Sequence, residues 1–563
     1  MVAIVAGVAL GGCSSDAPSS SSAPPSVAPT TPPTTPPDAT DASTASSGAP
    51  ESTSDAPTGD PAGEQRFSVN ISEPASLDPA MASEVEGAHV IRLLFQTLVS
   101  LSPELEVVPG VATEWAVGDD GVTWTFTLAD DAVFSDGNPV TAQDFAYEFA
   151  RAADPDLASP SSYQGLPIVG WADVNGAEPS GEIGDEPVSG VTVVDDRTLQ
   201  IVTDGPFGLL PKLLTYPVFA PVQASTVAGG QAESFAEQPI GNGLYKMEGP
   251  WQHNVGITVV RNESYTGTPG VADAIDFKIY ADFETSFKEF QAGNLDIGRG
   301  IPAPEISSAQ AEYGDRFLIT SSAQLYYLGL PTTLPPFDNV DIRTALSLAI
   351  DREAIAERVY QGAQSPATGV VPALVPGALA GPCAACVFDP EKAKELFDGA
   401  GGVPGNTIVL YDISDDGQDA LEPIINSWRE VLGVDVEVRS FEFAQFLDEI
   451  NGGNVEGPHE LGWVWDYPSG YSMLSPLYET TSDANAFSYS SDEFDALMQQ
   501  VRNAPDEETA LPYLARAEQI IEEELPLIPV LFGNDIGVYS ERLTNVKVDT
   551  GAFWRLELVE FTG

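Results

Sequence analysis

The chain has 563 residues, 43% of them hydrophobic, and sets 84 acids against 23 bases for a formal charge of −61. That length allows about three to four domains, and the apolar content suits a folded, soluble protein. A negative field of this size repels nucleic acid and anionic membrane surfaces, so neither is an expected partner.

Val2 to Leu10 is an apolar run followed by Gly11, Gly12 and Cys13. It reads as the apolar part of a secretion signal, too short to span a bilayer as a helix. The Leu-Gly-Gly-Cys sequence resembles a bacterial lipobox, which implies a lipid on Cys13, although no Lys or Arg precedes it. Residues 14–64 are almost entirely Ser, Thr, Pro, Ala, Gly and Asp. Such a composition cannot bury enough apolar surface to fold, so a disordered tether is expected, reaching roughly 40 Å as a coil.

The folded body is expected from residue 65. Phe67–Ile71 alternates like a strand, Val90–Leu98 reads as a helix and Val122–Leu128 as a strand. Thr141 with Asp144 forms a capping box opening a helix through Ala152. Beyond residue 330, strands alternate with amphipathic helices, which predicts an α/β fold. Helices are expected over Val340–Tyr360 with Asp338 or Asn339 as cap, and from Pro390, capped by Asp389, to Gly399. Further helices are expected over Gln418–Leu432, Phe443–Ile450, Ser491–Arg502 and Glu507–Glu524. Strands are expected at Asn406–Tyr411, Val434–Val438 and Ile528–Phe532.

Cys383 and Cys386 form a C-x-x-C, which can be a redox pair, half a zinc site or a local disulfide. With three cysteines and three scattered histidines (His89, His253, His459), zinc lacks ligands. A structural disulfide is the favoured reading in an oxidising compartment. No G-x-S-x-G elbow, H-E-x-x-H helix or phosphate-cradling G-x-x-x-x-G-K-[ST] loop is present, so no enzyme, cofactor or metal is expected.

Eight motifs, two of them in two pieces, resemble in their order the extracellular solute-binding proteins of family 5, the peptide-type binding components of ABC importers. They are Ser76–Pro79 with Pro109–Trp115; Trp124–Leu128 with Phe134–Phe145; Pro239–Tyr245; Arg261–Tyr265; Ala292–Asp296; Pro335–Arg352; Asp389–Leu396; and Gly462–Tyr467. The resemblance implies a two-lobe, type II (Venus-flytrap) periplasmic-binding-protein fold with an extra N-terminal domain behind the stalk. Lobe I would comprise 65–88, 190–327 and 535–563, the extra domain 89–189, and lobe II 328–534. It also implies a monomeric receptor outside the cytoplasm, held by its lipid, with a peptide ligand and ABC permease subunits as partners. The same fold takes cationic or sugar-like solutes; a surface adhesion or signalling lipoprotein and a secreted hydrolase are the other readings.

The stretch Glu460–Tyr471 concentrates the expected chemistry. It is an apolar run with Trp463 and Trp465, then Asp466, Tyr467 and a Pro-Ser-Gly turn, a strand whose end opens into a cleft. Alone, Asp466 reads as a turn cap. The resemblance implies instead that Asp466 pairs with the ligand's α-amino group. It further implies that the main chain at Ser83-Glu84-Val85 hydrogen-bonds the peptide as an added strand, and that Trp463, Trp465, Tyr467 and Phe443 wall the pockets. Where some oligopeptide binders carry an Arg six residues before that Asp, Glu460 stands here. Arg261, Arg299 and Arg316 are the substitutes considered for a ligand carboxylate.

Overall fold

The computed structural model describes residues 65–562 apart from 82, 414–419, 442–444, 447–448, 451 and 483. One mixed sheet of eleven strands runs through the body. Its order is 435–441, 407–413, 459–464, 317–329, 527–539, 297–299, 66–71, 274–279, 256–261 and 245–247, with 365–366 pairing 527–539 off this path. The two thirteen-residue strands Phe317–Gly329 and Leu527–Tyr539 lie antiparallel at its middle. To one side, Arg66–Ile71 pairs in parallel with Ala274–Ile279. To the other, Thr407–Ile413 pairs in parallel with Asp435–Phe441. The long strands therefore join two lobes.

Their ladder breaks between Ser321 and Leu325. The bulged backbone finds partners outside the ladder, as buried peptide groups must. Ala323 N donates to Thr550 O at 2.7 Å, Trp465 N donates to Ala323 O at 3.2 Å, and the Ser322 hydroxyl donates to Gly533 O at 3.1 Å.

A separate four-stranded antiparallel sheet has the order 112–117, 123–128, 198–202, 191–195. Alternation along Thr123–Leu128 turns Trp124, Phe126 and Leu128 inward, against Phe145 and Phe149 of the helix Ala142–Ala153. The expected boundary at residue 189 falls too early. Thr123–Thr127 pairs with Thr198–Val202, so both strands after residue 190 complete this sheet.

The capping box is present, with Thr141 N donating to the Asp144 carboxylate at 2.8 Å. Two helices differ from expectation. The one expected over Val90–Leu98 spans Val85–Leu94, because the Glu84 carboxylate accepts Gly87 N at 2.9 Å and starts it five residues earlier. It stops where Leu94 O accepts Gly243 N at 2.8 Å. That approach needs glycine, since a Cβ on Gly241 would sit 1.9 Å from Leu94 O and one on Gly243 2.4 Å from Leu93 O. The helix expected over Val340–Tyr360 is two, Val340–Leu348 and Arg352–Arg358, with Asn339 and Asp351 as their caps. At the break, buried Arg352 donates to Ser347 O, Ile350 O, Cys386 O and Pro529 O. The expected helix at Phe443–Ile450 and the first residues of the one at Gln418 lie partly outside the described residues.

Candidate functional site

The strand His459–Val464 lies antiparallel on Phe317–Gly329, with Trp463 opposite Leu325 and Val464 opposite Gln324. It ends as Trp465 turns its N–H to the bulge at Ala323. Asp466 follows, then a turn through Ser469, then the helix Gly470–Tyr478. The cap of that helix is Ser469, whose hydroxyl accepts Tyr471 N at 3.2 Å. Asp466 is thus free of the capping duty its position suggests.

Asp466 is 6% exposed and no arginine or lysine pairs with it among the described residues. Its Oδ2 accepts a hydrogen bond from the Tyr163 phenol at 3.1 Å, across 303 residues of sequence. Burial pushes its carboxyl up to about 6, while the Tyr163 hydrogen bond and the charge of Arg92 pull the other way. Burial, then the Asp466 charge, holds the phenols of Tyr163 and Tyr216 far above their usual range, so both stay donors. Even with these partners a buried carboxylate is costly, and a cation supplied from outside would lower that cost.

The aromatic residues around it are buried. The Trp463 indole donates to Ser472 O at 3.0 Å, and its ring centroid lies 6.4 Å from that of Tyr163. Tyr467 O accepts the Ser472 hydroxyl at 2.9 Å, which fixes the turn. Trp465 lies against Gly551, where an added Cβ would be 3.0 Å from the indole Nε1. Ser83 is buried and leads into the helix at Val85, whose carbonyl is 2.7 Å from His89 Nδ1. The Glu84 carboxylate accepts Gly87 N and Ala75 N; burial lifts it to about 7, with Glu86 adding to the rise. Glu84 and Asp466 both act on the Tyr216 phenol, so the helix start and the strand end share one neighbourhood. Phe443 and Cys13 lie outside the described residues. Cys383 and Cys386 are joined as a disulfide, away from these groups, in a loop whose Cys386 O accepts from Arg352.

Three groups escape sequence reasoning. Tyr163 and Tyr216 stand in unremarkable segments, and their relevance arises only from long-range packing. Arg92 carried a signal, as a lone base inside the apolar run Val90–Phe95; its Cζ stacks 3.8 Å from the Phe553 ring centroid. The substitutes considered for a ligand carboxylate are engaged: Arg261 by Asp273, Arg299 by Glu86 and Arg316 by Glu541. Glu460 is 5% exposed, on the strand opposite Leu328. Among the described residues, no group of three His, Cys, Asp or Glu side chains is placed to hold a metal ion.

Residues 106–485 match the model of the bacterial extracellular solute-binding proteins, family 5 Middle. The chain is 30% identical over 467 residues to the periplasmic murein peptide-binding protein MppA of Escherichia coli (strain K12), covering 81% of this chain and 86% of that protein. It is 28% identical over 511 residues to the oligopeptide-binding protein OppA of Bacillus subtilis (strain 168), covering 86% and 90%. The solved structure of the E. coli murein tripeptide binding protein MppA matches with a TM-score of 0.81 at 27% identity, over 89% of this chain and 99% of that one. The unliganded open form of MppA, at the same identity and over 89% and 98%, gives 0.67. The lobes here therefore depart further from that open arrangement. With the matched segment spanning most of the folded body, the chain belongs to the bacterial extracellular solute-binding proteins of family 5.

Proposed function

We propose that this protein captures peptides by their free amino terminus between its two lobes and delivers them to the membrane subunits of an ABC importer. The observation that carries the reading is Asp466, a buried carboxylate with no basic partner among the described residues and with its capping role taken by Ser469. An α-ammonium offers three donors and a full charge to that carboxylate, and such a desolvated pair is stronger than a surface one. The main chain at Ser83–Val85 pairs with the peptide backbone, and Trp463, Trp465 and Tyr467 wall the side-chain pockets, which leaves affinity weakly dependent on peptide sequence. Cys13 carries the lipid, residues 14–64 form the tether, and the body works as a monomer outside the cytoplasm.

Calorimetry with short peptides tests this. Unblocked peptides bind the wild type; N-acetylation or Asp466→Ala costs about 2–5 kcal/mol, roughly 30-fold to several-thousand-fold in affinity. Binding indifferent to acetylation would sink the role given to Asp466. A solute with a cationic end and no carboxylate is the second reading, favoured by Glu460 and by the pairing of Arg261, Arg299 and Arg316. Tighter binding of simple amines than of peptides would select it.

A further inference from the structure

The turn Asp549–Phe553, near the carboxyl terminus, touches both lobes and the strand bulge between them. It is built locally, with the Asp549 carboxylate accepting Gly551 N at 2.9 Å and Phe553 N at 3.1 Å. On one side it engages the helix Val85–Leu94. The Arg92 guanidinium lies over Phe553, the His89 and Phe553 ring centroids are 5.2 Å apart, and Trp554 N donates to His89 Nε2 at 3.3 Å. At its tip, Thr550 O receives Ala323 N at 2.7 Å. On its other side Gly551 faces Trp465 of the second lobe, the residue before Asp466.

The fit at Gly551 is close. A Cβ there would lie 3.0 Å from Trp465 Nε1, 3.1 Å from the Asp549 carboxylate and 3.4 Å from Phe553 Cδ2. Gly551 is not among the residues with positive φ, so its backbone accepts any amino acid and only its neighbours refuse a side chain. Two of those neighbours belong to the turn itself; the third arrives with the other lobe. Behind the turn, a cavity of about 150 Å³ is lined by Arg92, Asp549, Phe553, Trp554 and Arg555 among others.

We propose that the turn Asp549–Phe553 is the clasp that senses lobe closure, and that Gly551 is the positioning residue that lets Trp465 seat against it. As the second lobe swings in, the indole meets the turn at Gly551. Thr550 O then holds the bulge in its closed geometry through Ala323, and Ala323 O holds Trp465 N. Phe553 passes the same contact to Arg92 and the helix that starts at the proposed peptide-binding segment. A side chain at position 551 acts as a wedge between turn and indole, costing the closed state more than the open one, in which only the turn's own atoms crowd it. The inference rests on the proposed capture between two lobes.

The test compares Gly551→Ala and Gly551→Leu with the wild type, using Gly249→Leu as control because nothing lies within 4 Å of a Cβ at Gly249. In Gly551→Ala the neighbours need yield only a few tenths of an ångström, and peptide affinity falls several-fold. In Gly551→Leu it falls by about a hundredfold or more, as for an overpacked site. At saturating peptide, small-angle scattering shows the wild type contracted and Gly551→Leu still extended. Because Trp465 also walls the proposed pocket, the double variant is compared with Trp465→Ala alone: if the clash with the indole is the cause, Gly551→Leu no longer reduces contraction in the Trp465→Ala background. A Gly551→Leu protein that closes and binds like the wild type overturns the proposal, as does a Gly551→Leu loss of equal size in the Trp465→Ala background. If no peptide binds the wild type, the capture reading fails by itself. The clasp is then scored by fluorescence energy transfer between labels on the two lobes of the unliganded protein. A lower closed fraction in Gly551→Leu supports it, and an unchanged one overturns it.

Discussion

Asp466 gives the empty receptor a reason to stay open. Burial pushes its carboxyl up to about 6 from an ordinary value of 3.8. Protonation therefore favours the closed state, and that stabilisation is lost as pH rises through about 6. At neutral pH the ionised group opposes closure without ligand and lowers the closed-to-open ratio of the empty protein. Asp466→Asn removes that cost, so the empty variant closes more readily than the wild type at pH 7 while losing peptides. Lowering the pH of the empty wild type from 7 toward 4 moves it the same way. Scattering or lobe-to-lobe energy transfer reads both, and an empty Asp466→Asn protein as open as the wild type would refute the account. The position of Asp466 was legible in the sequence, in a Trp-rich strand end before a Pro-Ser-Gly turn. Tyr163 was not, since its link to Asp466 spans 303 residues and leaves no local pattern.

Helices and strands were legible wherever capping chemistry and periodicity agreed. Asp389 with Pro390 and the Thr141–Asp144 box both mark real helix starts. Local reasoning failed where distant backbone competes for hydrogen bonds. Val340–Tyr360 reads as one helix because Arg352 is a good helix former. In the fold its guanidinium is 3% exposed and gathers the carbonyls of Ser347, Ile350, Cys386 and Pro529, which makes the break tolerable. Arg352→Met leaves those acceptors without their donors, and a loss of about 3 kcal/mol is expected from several buried polar groups at once. Denaturant unfolding measures it. Peptide affinity of the folded fraction stays at the wild-type value, because Arg352 contacts none of the groups around Asp466. The early start of Val85–Leu94 has a different, local origin: Glu84 is an uncommon cap, recognisable only once its carboxylate is seen on Gly87 N.

For the molecule as a whole, a charge of −61 with 23 bases means that most acids have no cation to pair with. Mutual repulsion then favours expansion. Raising salt from about 0.01 M to about 1 M shortens the screening length from about 30 Å to about 3 Å, and the melting temperature is expected to rise by a few degrees. A fall would mean that the surface ion pairs, such as Arg516–Glu493, outweigh the repulsion. Fold class and two-lobe organisation were legible through ordered motifs. The edge of the extra domain was not, because strands after residue 190 join partners some 70 residues earlier, as Gln200 reaching Thr125 across 75 residues shows.

Chain connectivity adds a consequence for biosynthesis. The first strand, Arg66–Ile71, has its parallel neighbour about two hundred residues downstream, with Arg66 and Asp276 separated by 210 positions. The same lobe is finished by the final segment, where Trp554 N reaches His89 across 465 positions and Arg542 reaches Arg66 O across 476. A nascent chain thus cannot complete its first lobe until almost the last residue is made. Such non-local pairing forms slowly, because loop closure must precede the contacts that reward it. Until then the first lobe lacks the segment that completes it, so its folding follows synthesis of nearly the whole chain, while the more contiguous parts can form earlier.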